Sequence, residues 1–445
     1  MKKHLTWLTA VGAASALVLS GCAAEPGSGG GDAAAEGTVT VRLWDDNAKQ
    51  VYEESVAAFQ ESHPDIKVNI ETVPWADYFS NLRQDVAAGN APDMFWLNGA
   101  NMHDYVAANQ LAPVADVLGT DDTASFDPGV VDQYSFDGKL MGIPQISDGG
   151  IALYYNAELL EAAGLTPADL EGLKWSPGGE DTLLPVLQKL TVDANGHNAT
   201  EAEFDPDNIV QYGFNASQDL QAIILPFIAA NGGSYQDGDT FTYTNPKTQE
   251  AFQYIVDLIN TNRVAPPAQD TNPNGDYARD AFLQGKIAIF QSGTYNLANV
   301  SQGADFDWGI AGLPGGPAGV GTPSPGVVMV TNAAKADNPA VQAFAKWIAS
   351  ADGNKQFGES GSFIPAVVDA RQSFIDFWDA EDAKANVTTF FVTEDQTVIP
   401  PAGGANWAQA EQAFRPILDE MFLGRVAVPQ ALKNAEDAAN AAIGG

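Results

Sequence analysis

Cysteine is almost missing from this chain: 445 residues contain one, Cys22. A disulfide within the chain is therefore excluded, and stability must come from a large buried core. Basic residues are scarce too, with 21 Lys and Arg against 57 Asp and Glu, a formal charge of −36. Such a surface repels duplexes and anionic membrane faces, which excludes a nucleic-acid partner. It suits an acidic, solvated exterior that keeps a secreted protein soluble. After residue 19 no apolar run approaches the roughly 18 residues of a membrane-crossing helix. Histidine is rare as well; His63, His103 and His197, the three beyond the N-terminal segment, lie in no recognisable triad setting.

What is present begins with Lys2 and Lys3, an apolar run over 5–19, and the small residues Ser20 and Gly21. That is the pattern of a secretion signal. With Leu19-Ser20-Gly21 directly before the lone cysteine, the segment resembles a bacterial lipoprotein signal, which implies cleavage before Cys22 and lipid on its thiol. A core cysteine would need packed sequence on both sides, whereas 23–37 is Gly/Ala-rich and unpatterned. The expectation is a signal peptide over 1–21 and a flexible linker over 22–37. Acyl chains contribute about 0.8 kcal/mol per buried CH₂, so two or three would hold a soluble body at a bilayer.

The remainder exceeds one ordinary domain, which predicts two lobes. Period-two alternation over 38–44 predicts a strand, helical spacing of Val51, Ser55, Ala58 and Phe59 a helix over 48–62, and His63-Pro64 its stop. A strand over 66–73, a helix over 76–88 closed by Gly89, and a strand over 93–97 follow. Strand, helix, strand, helix, strand implies a parallel sheet with ligand beyond its carboxyl ends. Trp44, Asp45, Asp46, Trp75 and Asn98 stand at or beside those ends.

The second half reads as a strand over 150–156, a short helix over 157–164, an apolar helix over 219–230, helices over 246–262 and 277–284, and a strand over 286–290. The turn after it carries Tyr295 and Asn296. The Gly/Pro-rich run 315–326 predicts an interlobe connection. From 407 to 443 the pattern is helical, with a break at 424–429. The acidic stretch 193–207 starts like a calcium loop, but Gly196 falls too early for an EF-hand, so it reads as a solvated loop. Neither metal nor cofactor is expected.

The segments LWDDN, APDMFWLN, GIPQISDGGIALYYN, IAANGGSY, DAFLQGKIAIFQSGTYN, DWGIAGLPGG, FIPAV and NWAQAEQAFRPILDEMFLGRVAVPQALKNAEDAANAAI occur in this order. In that order they resemble the extracellular solute-binding proteins of bacterial ABC sugar importers, the group that includes maltose-binding protein. The resemblance implies an α/β, two-lobe periplasmic-binding-protein-like fold with discontinuous lobes and a multi-strand hinge: 38–147 with 321–362, and 148–320 with 363–445. It implies a monomer anchored outside the cytoplasm by lipid, a carbohydrate ligand, and permease subunits as partners.

Carried over residue by residue, Trp44 and Asp46 match first-lobe sugar contacts, with Asp45 beside them. An aromatic face packs on a pyranose while carboxylates accept from its hydroxyls, and a charged hydrogen bond contributes roughly 1.5 to 3 kcal/mol. Trp75 and Tyr78 are candidates for the same cleft, Trp96 for the core. Asp148 falls in the hinge stretch between flexible glycines. Tyr295 and Trp407 match stacking positions of the second lobe, Asn296 adjoins the first of these, and Phe363 is placed near the cleft mouth. Maltose-binding relatives carry bulky aromatics where this chain has Ala222, Ile223 and Leu225, so the resemblance does not extend to a maltodextrin subsite. The competing readings are a secreted glycoside hydrolase, with Asp45, Asp46 and Asp148 as acid and nucleophile, and a surface sugar sensor.

Overall fold

Val39, Val41 and Leu43 are fully buried and alternate with residues on the opposite face, so strand β1 (Gly37–Leu43) forms with its apolar side inward. The computed structural model describes residues 37–147, 149–323, 326–380, 386–393 and 395–443. The expected signal peptide, Cys22, the linker up to residue 36 and Asp148 lie outside the described residues.

Helix α1 (Asp46–Ser62) follows, capped by Asp45 and closed at His63 ahead of Pro64. Next come β2 (Ile66–Thr72), α2 (Trp75–Ala88) and β3 (Met94–Asn98). Gly89 ends α2 at φ 72°, a left-handed conformation that costs glycine nothing. Then α3 (Gly99–Ala107), α4 (Pro128–Gln133) and β4 (Ile143–Ser147) complete this part of the chain.

In the second half, β5 (Ile151–Asn156) leads to α5 (Ala157–Ala162). The expected continuous helix over 219–230 is instead a π-turn, Leu220–Ile224, running into α6 (Leu225–Ala230). The cause is Pro226, which has no N–H to donate to the Ala222 carbonyl. That carbonyl accepts from Gln291 Nε2 at 2.5 Å instead. Helices α7 (Pro246–Asn260) and α8 (Tyr277–Leu283) follow, then β6 (Ile289–Gly293), displaced from the expected 286–290. After α9 (Leu297–Gly303) and β7 (Trp308–Ala311), the Gly/Pro run yields β8 (Gly321–Pro323), and β9 (Gly326–Thr331) begins at its end. Strand β10 (Thr397–Ile399), α10 (Trp407–Phe422) and α11 (Val428–Ile443) end the described chain.

The strands form two principal sheets. One is five-stranded in the order β2-β1-β3-β9-β4, parallel across β2-β1-β3, with β9 antiparallel to both neighbours. The other, β6-β5-β7, is antiparallel throughout. Each has its own core: Val39, Tyr52, Phe59, Trp96 and Val328 belong to the first, and Leu153, Trp175, Phe227 and Phe252 to the second. A side chain of this size contributes roughly 1.5 to 3 kcal/mol when fully buried, so burial in these two cores is the main stabilising term.

The chain passes between the sheets from β4 to β5 and again from β7 through β8 to β9. At the first passage, a Cβ on Gly149 (φ 57°) would lie 2.8 Å from the Phe390 carbonyl oxygen, and one on Gly150 2.9 Å from Thr322 Oγ1. These two positions require glycine because the second passage and the 387–390 turn press directly on them. The Ile151 N–H donates to Thr322 Oγ1 at 3.0 Å, stitching the two passages together.

Loop 193–207 is solvated over most of its length, as expected, but it is pinned by one buried side chain. Asp193 is buried and its carboxylate accepts from the N–H groups of Asn195, His197 and Asp205, folding the loop around itself. Among the described residues no group of three or more His, Cys, Asp or Glu is placed to hold a metal ion, and no helix is long and apolar enough to cross a membrane.

Candidate functional site

Because β1 and β3 are parallel, their carboxyl ends share one edge of the sheet, and Trp44 and Asn98 stand there. Trp44 is half-buried inside a nest of rings. Trp75 lies 5.3 Å away, Tyr78 5.1 Å and Trp96 4.8 Å, all edge-on, and Phe79 is tilted at 5.8 Å. Edge-to-face pairs contribute about 0.5–1.5 kcal/mol each beyond area burial, so the nest is rigid. Trp75, 53 % exposed, is its outermost member.

Tyr78 is a correction to the expectation that it lines a cleft. It is fully buried, and its hydroxyl lies 3.1 Å from the Arg42 carbonyl and 2.9 Å from that of Trp96, so no donor remains for a ligand. Trp96 is in the core, as expected.

Asp45 caps α1, accepting from the Ala48 N–H at 2.8 Å. Burial pushes its carboxyl above the ordinary range; the N–H groups of Ala48 and Asn47 and the charge of Arg279 oppose this, and Asp46 adds to it. Asp46 is exposed and accepts from Thr72 Oγ1 at 2.6 Å. Two of the three carboxylates named for a hydrolytic reading, Asp45 and Asp46, are thus engaged in hydrogen bonds at the start of α1.

Next to them a run of amides crosses from one lobe to the other. Asn47 Nδ2 donates to Asn299 Oδ1 at 3.3 Å, Asn299 Nδ2 to Asn296 Oδ1 at 3.2 Å, and Asn296 Nδ2 to Ser292 Oγ at 2.9 Å. Asn296 therefore joins the first-lobe candidates in space. Tyr295, half-buried beside it, packs against the second core. A Cβ on Gly293 would lie 2.3 Å from its ring, so glycine there is what lets the tyrosine fold back.

Asn98 is buried and caps α3, its Oδ1 accepting from the Asn101 N–H at 3.3 Å and from Asn101 Nδ2 at 3.0 Å. It also lines a cavity of about 30 Å³ between the lobes, with Gln133 at the end of α4, Gln221 in the π-turn and Pro401. Sequence reasoning missed both glutamines, because an amide at a helix end carries no motif. It also missed Asp104 of α3, whose Oδ1 accepts from the Asn406 N–H at 2.7 Å, immediately before α10.

Two further expectations are corrected. Trp407 is 4 % exposed, its ring stacked on Phe241 at 5.9 Å and edge-on to Phe414. Phe363 is equally buried, edge-on to Phe357 in the first core. Both rings are packed within these cores in this structure. Asp148 lies outside the described residues.

Comparisons place this geometry among known proteins. The family model described as "Bacterial extracellular solute-binding protein" matches residues 45–355. The crystal structure of UspC from M. tuberculosis superposes with a TM-score of 0.73 at 46 % identity, covering 91 % of this chain and 100 % of that one. A maltooligosaccharide ABC transporter solute-binding lipoprotein of Streptococcus pneumoniae (strain R6) is 23 % identical over 437 residues, 96 % of this chain and 93 % of the relative. A lactose-binding protein of Rhizobium radiobacter is 23 % identical over 293 residues, and the chain spans 62 % of that relative's length.

Proposed function

Because the chain belongs to the bacterial extracellular solute-binding protein family, we propose that it captures a neutral carbohydrate, an oligosaccharide, between its lobes and delivers it unchanged to the permease subunits of an ABC transporter. It acts as a monomer on the cell surface, cleaved before Cys22 and held by lipid on that thiol, with the 22–37 linker as its tether. The first lobe comprises 38–147 and the chain from β9 onward. Its last boundary falls after Ala370 rather than at 363, because Phe363, Ala366, Val367 and Ala370 pack in the first core. Strand β8, at 321–323, goes with the second lobe because it pairs with β10.

The observation that carries this reading is the interlobe cavity at the carboxyl edge of β3, on the strand edge that also bears the Trp44–Trp75 nest. A sugar site needs roughly 300–1,000 Å³, whereas this cavity measures about 30 Å³. The lobes must part at the β4–β5 and β7–β9 passages to load and then close, so ligand contacts made to both walls select the closed state. Trp75, Trp44, Asp46, Asn98 and the Tyr295–Asn296 turn are the contacts we assign. A thermal-shift screen over neutral mono- and oligosaccharides tests this. At 100 times its Kd the right ligand stabilises the fold by about 2.7 kcal/mol. A protein that shifts with no member of the screen, or that releases hydrolysis products from one, overturns the proposal.

A further inference from the structure

The cavity between the lobes has a chemical signature of its own. Its wall includes the amides of Asn98, Gln133 and Gln221 beside Leu220, Leu225 and Pro401, and among the described residues no charged side chain lines it. Gln133 reaches over the first residue of α3: its Nε2 occupies a point 2.5 Å from where a Cβ on Gly99 would be, and Pro401 of the facing lobe lies 3.5 Å from that same point. Gln221 approaches from the π-turn of the second lobe, and such turns recur at functional sites. Asn98 spends its oxygen on Asn101. Gln133 and Gln221 are half-buried, and neither side chain has a hydrogen-bond partner among the described residues. Each side chain lines the space that closes on a ligand and carries two donors and two lone pairs.

A phosphate or carboxylate entering here would be desolvated with no cation on the wall, in a protein of charge −36. That penalty is several-fold larger than for a hydroxyl. An amide pairs with a hydroxyl in either direction. We infer that Gln133 and Gln221 are the specificity-determining side chains of this cleft, clamping hydroxyls of an uncharged sugar from opposite lobes and rejecting anionic sugars. The inference rests on the carbohydrate reading above and adds the residues and the charge class.

The test is calorimetric titration of lactose, maltotriose and mannobiose into the parent, Gln133→Met and Gln221→Met, with glucose 6-phosphate and glucuronate as anionic probes. Methionine keeps the length and volume of glutamine and removes its polar atoms. Each variant is expected to bind the parent's best neutral probe about 3- to 10-fold more weakly, the value of one neutral hydrogen bond, with the melting temperature of the ligand-free protein unchanged. Where a methionine variant fails to fold, the leucine variant at that position gives the same readout. Parent-like affinity in both variants overturns the inference and leaves the carbohydrate reading standing, as does an anionic probe that binds as tightly as the neutral one. If no neutral probe binds the parent, the carbohydrate reading falls and this inference with it.

Discussion

Asp104→Ala removes a fastener between the lobes. Helix α10 begins after Asn406, which sits at φ 57° and makes no side-chain cap bond to the helix. Its own Nδ2 is turned to the Ile443 carbonyl at 3.3 Å. The N-terminus of α10 is therefore served by a carboxylate from the other lobe, with Asp104 Oδ1 2.7 Å from the Asn406 nitrogen. A cap of this kind contributes about 1 kcal/mol, and a negative charge at a helix start about 0.3–1 kcal/mol more. Opening the lobes breaks the contact and returns both groups to water, so the energy acts on the open–closed equilibrium rather than on folding. Losing roughly 1–2 kcal/mol lowers the closed-to-open ratio about 5- to 30-fold. Asp104→Asn keeps an acceptor and loses only the charge, for about 2- to 5-fold. The body beyond Cys22 has no cysteine, so a pair of engineered cysteines, one per lobe, reports the ratio by single-molecule energy transfer. Ligand affinity is expected to fall by the same factor, because only the closed fraction grips both sides. An unchanged open–closed ratio in Asp104→Ala, or a loss of melting temperature with no change in that ratio, refutes the reasoning.

Three further outcomes are expected. Cys22→Ala moves the protein from the membrane fraction to the medium with its ligand affinity intact; retention at the membrane counts against lipidation. Trp75→Ala, at an exposed position, costs under about 1 kcal/mol of stability by denaturant titration yet weakens carbohydrate binding, whereas Trp44→Ala, inside the nest, destabilises by about 3–5 kcal/mol; equal stability losses would deny the nest its two layers. Burial pushes the Asp127 carboxyl up, but the Arg371 guanidinium paired with it and the N–H groups of Val130 and Gly129 outweigh this and hold it below its ordinary value. Its stabilisation is present above the unfolded carboxylate range near pH 3.9 and is lost as pH falls below it toward the lower folded value. Acid titration of Asp127→Asn is expected to show a shallower fall in stability over that window, and an unchanged slope contradicts the pairing.

The β1-α1-β2-α2-β3 frame was legible because its signals are local: alternation in 38–44, the helical spacing of Val51, Ser55, Ala58 and Phe59, the Gly89 stop; the Asp45 cap was not read. The second half was harder. Nothing near 219–230 announces that the Ala222 carbonyl, orphaned by Pro226, is met by Gln291 from a strand 69 residues away. The aromatic candidates divided for the same reason. An exposed tryptophan and one that stacks on Phe241 look alike in sequence, and only the distant partner separates Trp407 from Trp75. Asp104 lies 302 residues from the amide it accepts from, which no spacing rule reaches. The resemblance supplied the order of segments and thereby the fold; it placed Tyr78, Phe363 and Trp407 by position alone, and burial decided otherwise.

The Asn47–Asn299–Asn296–Ser292 run carries no charge and nothing that gains or loses a proton near neutrality. An ionic strap in its place would slacken in brine and rearrange in acid, the two conditions that vary most outside a cell. Asp104 works by charge and is screened as salt rises; the amide run is indifferent to it. The protein thus keeps one tie between its lobes whose strength is independent of the salt and acidity of its medium, and the change in its lobe equilibrium between dilute and concentrated salt isolates the contribution of the other.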